Sequence, residues 1–296
     1  MKYITVTLNP AIDRTFLIDS PLCVGELNKS AEMSSVMYSG KGINVSRELF
    51  RLGIDSKMIC LLRGEDGDAA YDSLVGENLN VYAVKTGGRM RRNISIVDSC
   101  GVGTEINEPG EEVELESVVR FLGIYDKLIS EPGQKTVIIS GSTPPGFRKD
   151  IYKMLVLNAR KKGAYVILDA DSDLLVNGLE GKPNLIKPNE KELYALTGWK
   201  LSGDEAQIRI SALAAASVIY EKTGIEVLCT LGAKGSVFVG KEGQFACPAK
   251  KVEIKRSKGA GDMYLARFIY ERFEKHRSVV DAIKTATEKT ARNLSI

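Results

Sequence analysis

Short runs of aliphatic and β-branched residues recur along the chain with helix-period segments between them. This alternation limits the available folds more than any other feature of the sequence. The runs Tyr3–Leu8, Met58–Leu62, Thr136–Ser140, Tyr165–Asp169, Asn184–Lys187, Val227–Thr230 and Ser236–Val239 are four to six residues long. They read as strands buried on both faces, because a solvated face would demand polar residues at every second position. Between them, Leu115, Val118, Val119, Leu122, Tyr125, Leu128 and Ile129 keep the three-or-four spacing of one helix face. Further helical segments run over about 43–52, 69–79, 149–162, 205–222, 262–274 and 278–294. Strands joined through helices form crossover connections, so the pattern predicts an α/β fold, a mostly parallel sheet covered by helices on both faces. Residues 12–36 and 89–108 break this rhythm. Arg91, Asn93 and Ser95 alternate there with Arg92, Ile94 and Ile96, the pattern of a strand covered on one side. The two segments read as a small β lid or an ordinary surface hairpin, leaving 1–11, 37–88 and 109–296 to the main domain.

Composition removes whole classes of chemistry. The 296 residues carry 41 basic and 38 acidic side chains, a net charge of +3, which implies neither a nucleic-acid nor a membrane partner. Phosphate binding must therefore come from a local site. The one histidine, His276, sits in the polar stretch Glu274-Lys275-His276-Arg277 and reads as a solvated surface residue. Multi-histidine zinc sites and Ser-His-Asp or Cys-His nucleophiles are set aside on that count. Cys23, Cys60, Cys100, Cys229 and Cys247 are widely spaced, with no C-x-x-C pair, the usage of a reduced cytoplasmic protein. The apolar N-terminal run Tyr3–Leu8 is too short for a signal-peptide core, and no apolar run reaches 18 residues.

Three glycine- or amide-rich segments stand at the openings of helices. Ser257-Lys258-Gly259-Ala260-Gly261-Asp262 opens a helical run. Its first backbone N–H groups can form an anion site, with Asp262 placed to take a proton from an attacking hydroxyl. Ser39-Gly40-Lys41-Gly42-Ile43-Asn44 opens another helix, where backbone amides and Lys41 can hold an anion and Asn44 a hydroxyl. Asn189 and Glu192 lie three residues apart at a third helix start, close enough to orient water around magnesium. Each has a plain structural reading as well: a glycine turn with an Asp cap, a loop with a solvated lysine, and a capping box. Gly235 to Lys241 matches P-loop spacing, but Glu242 stands where the magnesium-binding hydroxyl belongs, and no G-x-G-x-x-G follows the first strand.

Taken together these segments resemble the ribokinase-like (PfkB) carbohydrate kinases, in the branch of 1-phosphofructokinases and tagatose-6-phosphate kinases. The resemblance covers nearly the whole chain. It rests on Thr7-Leu8-Asn9-Pro10-Ala11-Ile12-Asp13, Gly40-Lys41-Gly42-Ile43-Asn44-Val45, Thr104-Glu105-Ile106-Asn107-Glu108-Pro109-Gly110, Ser140-Gly141-Ser142, Lys187-Pro188-Asn189-Glu190-Lys191-Glu192-Leu193, Leu231-Gly232-Ala233-Lys234-Gly235 and Gly259-Ala260-Gly261-Asp262, all in family order.

The resemblance implies a three-layer α/β/α fold with a small β-sheet lid, ATP and Mg2+ as cofactors, and a cytoplasmic enzyme that can pair into a homodimer through the lid. It implies Asp262 as general base, with Gly259, Ala260 and Gly261 as its anion hole. Asp13, Gly40, Lys41, Asn44 and Arg91 would hold the sugar phosphate. Lys187, Asn189, Glu192, Thr230, Gly232 and Gly235 would serve the nucleotide, with Asn189 and Glu192 organising magnesium through water. The activity implied is ATP-dependent phosphorylation of a ketohexose phosphate, fructose 1-phosphate first and tagatose 6-phosphate second. A binding protein with lost catalysis and a kinase of an unphosphorylated sugar or nucleoside are the alternatives; Lys41 and Arg91 argue against the latter. The chain departs from that branch at Ser39, at Ser95 where it has lysine, at Met263 where it has a small hydroxyl residue, and at Arg267 where it has glycine. Arg267 is expected to crowd a close helix contact. The end at Ile296 is expected to loosen the adenine pocket.

Overall fold

The computed structural model describes residues 1–252 and 258–295, without the side chains of 31–35 and 172; Ser257 of the glycine-rich segment lies outside the described residues. In chain order the strands are β1 (Lys2–Thr7), β2 (Ala11–Ile18), β3 (Ser30–Ser39), β4 (Ser56–Arg63), β5 (Asn80–Thr86), β6 (Arg91–Val97), β7 (Gly103–Asn107), β8 (Lys135–Gly141), β9 (Tyr165–Ala170), β10 (Leu185–Ile186), β11 (Glu226–Thr230), β12 (Ser236–Gly240) and β13 (Gly243–Cys247). The α-helices are α1 (Lys41–Arg51), α2 (Gly64–Gly76), α3 (Leu115–Ser130), α4 (Ile151–Lys161), α5 (Ser172–Leu179), α6 (Glu190–Thr197), α7 (Glu205–Thr223), α8 (Ala260–Ile269) and α9 (Val279–Leu294).

Nine strands form one sheet in the order β13-β12-β11-β10-β9-β8-β1-β4-β5. All neighbours from β11 to β5 pair parallel, and only β12 and β13 run antiparallel at one edge. The seven runs read as strands all lie in this sheet. β5 and β13 escape such a reading because they are its edges. Their half-exposed residues leave no continuous apolar run. α5 and α6 span eight residues each, too few for helical periodicity to declare itself. α2 starts five residues earlier than the apolar pattern suggests. Gly67 in its first turns packs so closely on β4 that a Cβ there would fall 2.7 Å from the Leu62 carbonyl carbon. After α8 the chain continues as a π-helical turn, Tyr270–Glu274.

Both faces of the sheet are buried, and the pleat divides them cleanly. Ile4, Val6, Val137, Ile139, Val166, Leu168, Val227, Cys229, Val237 and Val239 join the core that packs against α3, α4 and α7. Tyr3, Ile138, Ile167, Leu228 and Phe238 point the other way, into the core shared with α1, α8 and α9. This is a three-layer α/β/α architecture. A second sheet, ordered β3-β2-β6-β7, is built from the two segments with one-sided alternation. β2 leaves β1 through Leu8 to Pro10, so the small sheet stands over the C-terminal ends of the parallel strands. Strand order reverses between β1 and β8, the point where open α/β sheets leave a crevice.

Arg267 does not crowd the α1–α8 contact. Its Nη2 lies 2.8 Å from Oε1 of Glu48 on α1, a carboxylate with only 3% of its side chain exposed. The long arginine fills the interhelical space with the counter-charge that Glu48 requires. Arg267→Ala should therefore lower stability by about 3 kcal/mol, the low end for stranding a buried charge, because Arg51 still stands 3.6 Å from the other Glu48 oxygen. Urea denaturation of the two proteins measures the difference, and a neutral or stabilising result would restore the crowding view.

Candidate active site

A cleft of about 1180 Å3 runs between the small sheet and the C-terminal edge of the large one. Asp13, Ser39, Arg91 and Asn93 line it from the small sheet, and Lys41 and Asn44 from α1. Lys187, Asn189, Thr230 and Gly232 come from the strand ends, and Gly259 to Asp262 from the start of α8. A polar side pocket of about 200 Å3 adjoins it, lined by Arg91, Asn93, Asn107, Ser140, Ser142, Lys41 and Asp171.

Each segment reaches the cleft for a local reason. α1 begins directly on the end of β1. A Cβ on Gly42 would fall 2.5 Å from Thr7 Oγ1 and 2.8 Å from the Val6 carbonyl oxygen, so only glycine lets the helix start there. Gly259 adopts a left-handed φ of 76° ahead of α8, a conformation that favours glycine. Its carbonyl accepts the Asp262 and Met263 amides. The Ala260 and Gly261 amides come before the first intrahelical bond and carry the positive end of the helix dipole. Asn189 and Glu192 form a reciprocal capping box: Asn189 Oδ1 accepts the Glu192 amide at 2.9 Å and Glu192 Oε2 accepts the Asn189 amide at 2.8 Å. The structural reading of that pair holds, and it leaves Glu192 Oε1 turned to Lys41 Nζ at 3.7 Å.

Charge is concentrated around Asp169, whose side chain is completely buried. Lys41 Nζ lies 3.2 Å from one Asp169 oxygen and Lys187 Nζ 3.1 Å from the other. Lys41 also stands 3.4 Å from Asp171. Burial alone would pull the Lys41 pKa down, but the carboxylates of Asp169, Glu192 and Asp171 override it and hold the ammonium well above its usual range. Burial opposes ionisation of Asp169 as well, and the two lysines win, keeping its carboxyl below the ordinary value. Asp262 goes the other way. Burial and the negative charge of Asp169 push it up to about 7, against the pull of Asn44, Lys187 and Lys41. Its Oδ2 accepts a 2.8 Å hydrogen bond from Asn44 Nδ2.

At the small sheet, Asp13 is saturated with donors: Ser39 Oγ at 2.5 Å, Asn93 Nδ2 at 2.8 Å and Lys258 Nζ at 3.0 Å. Ser39 thus spends its hydroxyl on Asp13. Lys258 also stands 3.4 Å from Ser95 Oγ, linking the loop before α8 to the small sheet across the cleft. Arg91 Nε donates to the Asn9 carbonyl at 3.0 Å and stays in the cleft, while Arg92 turns to Asp66 on the opposite face.

The structure brings Asp13, Gly40, Lys41, Asn44, Arg91, Lys187, Asn189, Thr230, Gly232, Gly259, Ala260, Gly261 and Asp262 to one cleft, with Glu192 behind Lys41. It does not bring Gly235 there. That glycine has φ 108°, turns the chain into β12 and abuts the Cys247 carbonyl, so its role is a tight turn. Sequence reasoning missed Asp169, Asn93 and Lys258. A charged residue ending a buried strand marked the first, the Arg91 face of β6 the second, and adjacency to the glycine loop the third.

Residues 6–291 match the model of the pfkB family of carbohydrate kinases. The chain belongs to that family. It is 31% identical to the 1-phosphofructokinase of Haemophilus influenzae over 97% of this chain and 89% of the relative, and 32% identical to that of Escherichia coli over 90% and 82%. A Thermotoga maritima structure described as a possible 1-phosphofructokinase superposes with a TM-score of 0.85 at 29% identity, over 99% of this chain and 92% of the other. A crystal structure of a mutant phosphofructokinase-2 from Escherichia coli reaches 0.88 at 23% identity over 100% and 94%, which shows the shared fold. As a member of this family, the chain is a phosphotransferase that takes ATP and a sugar hydroxyl as substrates.

The two glycines give a contrast that tests the packing. Gly42→Ala forces a Cβ into backbone and should cost about 1–3 kcal/mol. Gly261→Ala meets only Lys187 Nζ, at 3.5 Å, and should leave stability within about 1 kcal/mol, since alanine suits a helix better than glycine. Chemical denaturation of both variants checks the ranking.

Proposed function

We propose that the protein transfers the γ-phosphoryl group of ATP to a hydroxyl of a ketohexose phosphate, fructose 1-phosphate in the first place, with Asp262 as general base. The observation that carries the reading is the pairing of two subsites. A buried carboxylate beside the amide-bearing start of α8 faces the main cleft, and a small pocket of neutral donors with Arg91, Lys41 and Asp171 opens beside it. The hydroxyls of Ser140 and Ser142, the Asn107 amide and the Arg91 guanidinium suit the phosphate the sugar already carries. Lys41 lines the same pocket, but three carboxylates hold its ammonium, leaving Arg91 as that phosphate's main cation. The names of the curated relatives favour fructose 1-phosphate over tagatose 6-phosphate.

In this reading the small sheet acts as a lid over the sugar, with Asp13 and Asn44 toward its hydroxyls. Asp262, ionised, takes the proton of the attacking hydroxyl. The Gly259–Gly261 amides and Lys187 receive the charge on the transferring group, so catalysis rests on positioning and preorganised dipoles. The nucleotide lies along Asn189, Thr230 and Gly232. Among the described residues no three acidic, histidine or cysteine side chains converge as a metal cage. Asn189 and Glu192 are engaged in their capping box, which fits Mg2+ held through water and the ATP phosphates. Bound there, the ion would neutralise phosphate charge. Exposed Val36 and Ile106, in one cross-strand row of the small sheet with Arg14 and Ile94, support a homodimer paired through that sheet. The free cysteines suit the reducing cytoplasm.

An ADP-release assay across fructose 1-phosphate, fructose 6-phosphate, tagatose 6-phosphate and unphosphorylated fructose should show the highest kcat/KM with fructose 1-phosphate. ATP binding with no release on any sugar would promote the alternative of a binding protein.

The base must be ionised to accept a proton, and its free-enzyme pKa is raised to about 7. Activity should therefore be full above that pH and fall on the acid side, with kcat/KM losing about tenfold per unit of pH well below it. Asp262→Asn should lower turnover by about 10²–10⁴ with little change in ATP affinity. A flat profile down to pH 5 or a near wild-type Asn variant would return Asp262 to a helix cap.

A further inference from the structure

Asn44 is an amide with one donor end and one acceptor end, and which end faces Asp262 decides what it does there. Presented through Nδ2 it donates to the carboxylate and favours its ionised form; presented through Oδ1 it would favour the protonated form. The two orientations have nearly the same shape, so packing alone chooses weakly between them. The choice is made one helical turn along α1. Arg47 Nη1 donates to Asn44 Oδ1 at 3.3 Å, and Asn44 Nδ2 in turn donates to Asp262 Oδ2 at 2.8 Å. A guanidinium has donors and no acceptor, so beside Arg47 the amide oxygen must face inward along the helix and the nitrogen must face Asp262.

Arg47 is itself held rigidly. It is 8% exposed. Its Nε and Nη2 grip Glu77, just beyond α2, at 2.5 and 2.9 Å, and Nη2 also donates to the Tyr38 carbonyl of β3 at 3.0 Å. Its planar fork thus meets a carboxylate, a backbone carbonyl and the Asn44 oxygen together, a set that a flexible point charge does not reproduce.

We infer that Arg47 is a positioning residue for the reaction: by donating to Asn44 Oδ1 it fixes the amide with Nδ2 turned to Asp262. It never touches the cleft, and Arg47 is absent from the cleft lining. Its meaning for catalysis rests on Asp262 acting as the base. The other groups acting on Asp262 stay in place when Arg47 changes. Lys41 on α1, Lys187 after β10 and Asp169 at the end of β9 are tied to one another, Asp171 and Glu192 are tied to Lys41, and at the α1–α8 contact Glu48 pairs with Arg267.

Three variants test this in the full-length protein. Arg47→Met keeps the aliphatic stem and removes the donor, Arg47→Lys keeps one donor, and Glu77→Gln weakens the ion pair while leaving Arg47 beside Asn44. Two readouts are taken: the Asp262 carboxyl titration by 13C NMR, assigned with Asp262→Asn, and the pH profile of kcat/KM with fructose 1-phosphate. Arg47→Met should raise the carboxyl midpoint by about one pH unit, so that kcat/KM at pH 6 falls about tenfold while the high-pH plateau changes less. Arg47→Lys should lie between Met and wild type, and Glu77→Gln should leave the midpoint unmoved. A folded Arg47→Met protein with an unchanged midpoint overturns the assignment, as does a Glu77→Gln shift as large as that of Arg47→Met, which would mark a merely structural role. If Arg47→Met does not fold, a wild-type midpoint in Arg47→Lys together with a shifted one in Glu77→Gln overturns it equally. The NMR titration needs no turnover, so an enzyme silent on every sugar would refute the kinase reading and still decide the role of Arg47.

Discussion

A carboxylate with no exposure to water, Asp169 at the end of β9, holds two lysines that belong to different parts of the chain. The cleft depends on that arrangement. Lys41 begins α1 and Lys187 follows β10, so one buried anion ties the helix that carries Asn44 to the strand that leads to Asn189. Burying such a charge costs several kcal/mol unless good partners surround it, and the paired ammonium groups at 3.1 and 3.2 Å are those partners. An apolar cluster in place of all three charges would serve stability as well. It would not serve the chemistry, because the negative charge of Asp169 is part of what raises Asp262.

Packing of α1 against its neighbours gives these charges their precision. A chain of buried hydroxyls, Thr5 to Ser46 to Ser56, joins the helix to β1 and β4 with oxygen separations of 2.7 and 2.8 Å. Gly42 lets its first turn rest on β1, and Glu48 meets Arg267 of α8. The segment bearing Lys41 and Asn44 and the segment bearing Asp262 are thereby parts of one rigid body. Transfer of a phosphoryl group demands such rigidity, since small displacements of donor and base are felt steeply in rate.

The small sheet contributes on different terms. Its cleft-facing residues come from one pleat face, Arg91, Asn93 and Ser95, while Arg92 serves the outer side. Lys258 and Asp13 form its direct ionic link to the loop before α8. Lys258 keeps a third of its side chain exposed in this pair, whereas Asp169 and Lys187 are both buried.

The layered α/β architecture was legible in the sequence because burial on both faces of a parallel strand leaves no room for a charged, solvated face, and among the runs from Tyr3 to Val239 only Tyr3–Leu8 carries polar residues at alternate positions, the buried Thr5 and Thr7. The glycine loops around Lys41 and Asp262 were legible because each opens a helix, where Gly42 permits a close approach to β1 and Gly259 the left-handed turn. Edge strands β5 and β13 and the short helix α5 were not, since half-exposed or brief elements carry no periodic signal, and α6 showed only its start through the Asn189–Glu192 capping pair. The pairings stayed hidden as well. Arg267 reads alone as a bulky intrusion, and only contact with Glu48, 219 residues earlier, shows it to be a counter-ion. Asp169 reads as the end of a strand until Lys41 and Lys187 converge on it. Local sequence determines where the backbone turns and which face is apolar, because both follow from sterics and solvent within a few residues. Which charges meet, and hence which carboxylate is kept ionised and which is pushed toward neutrality, depends on distances between remote segments that exist only once the layers have packed.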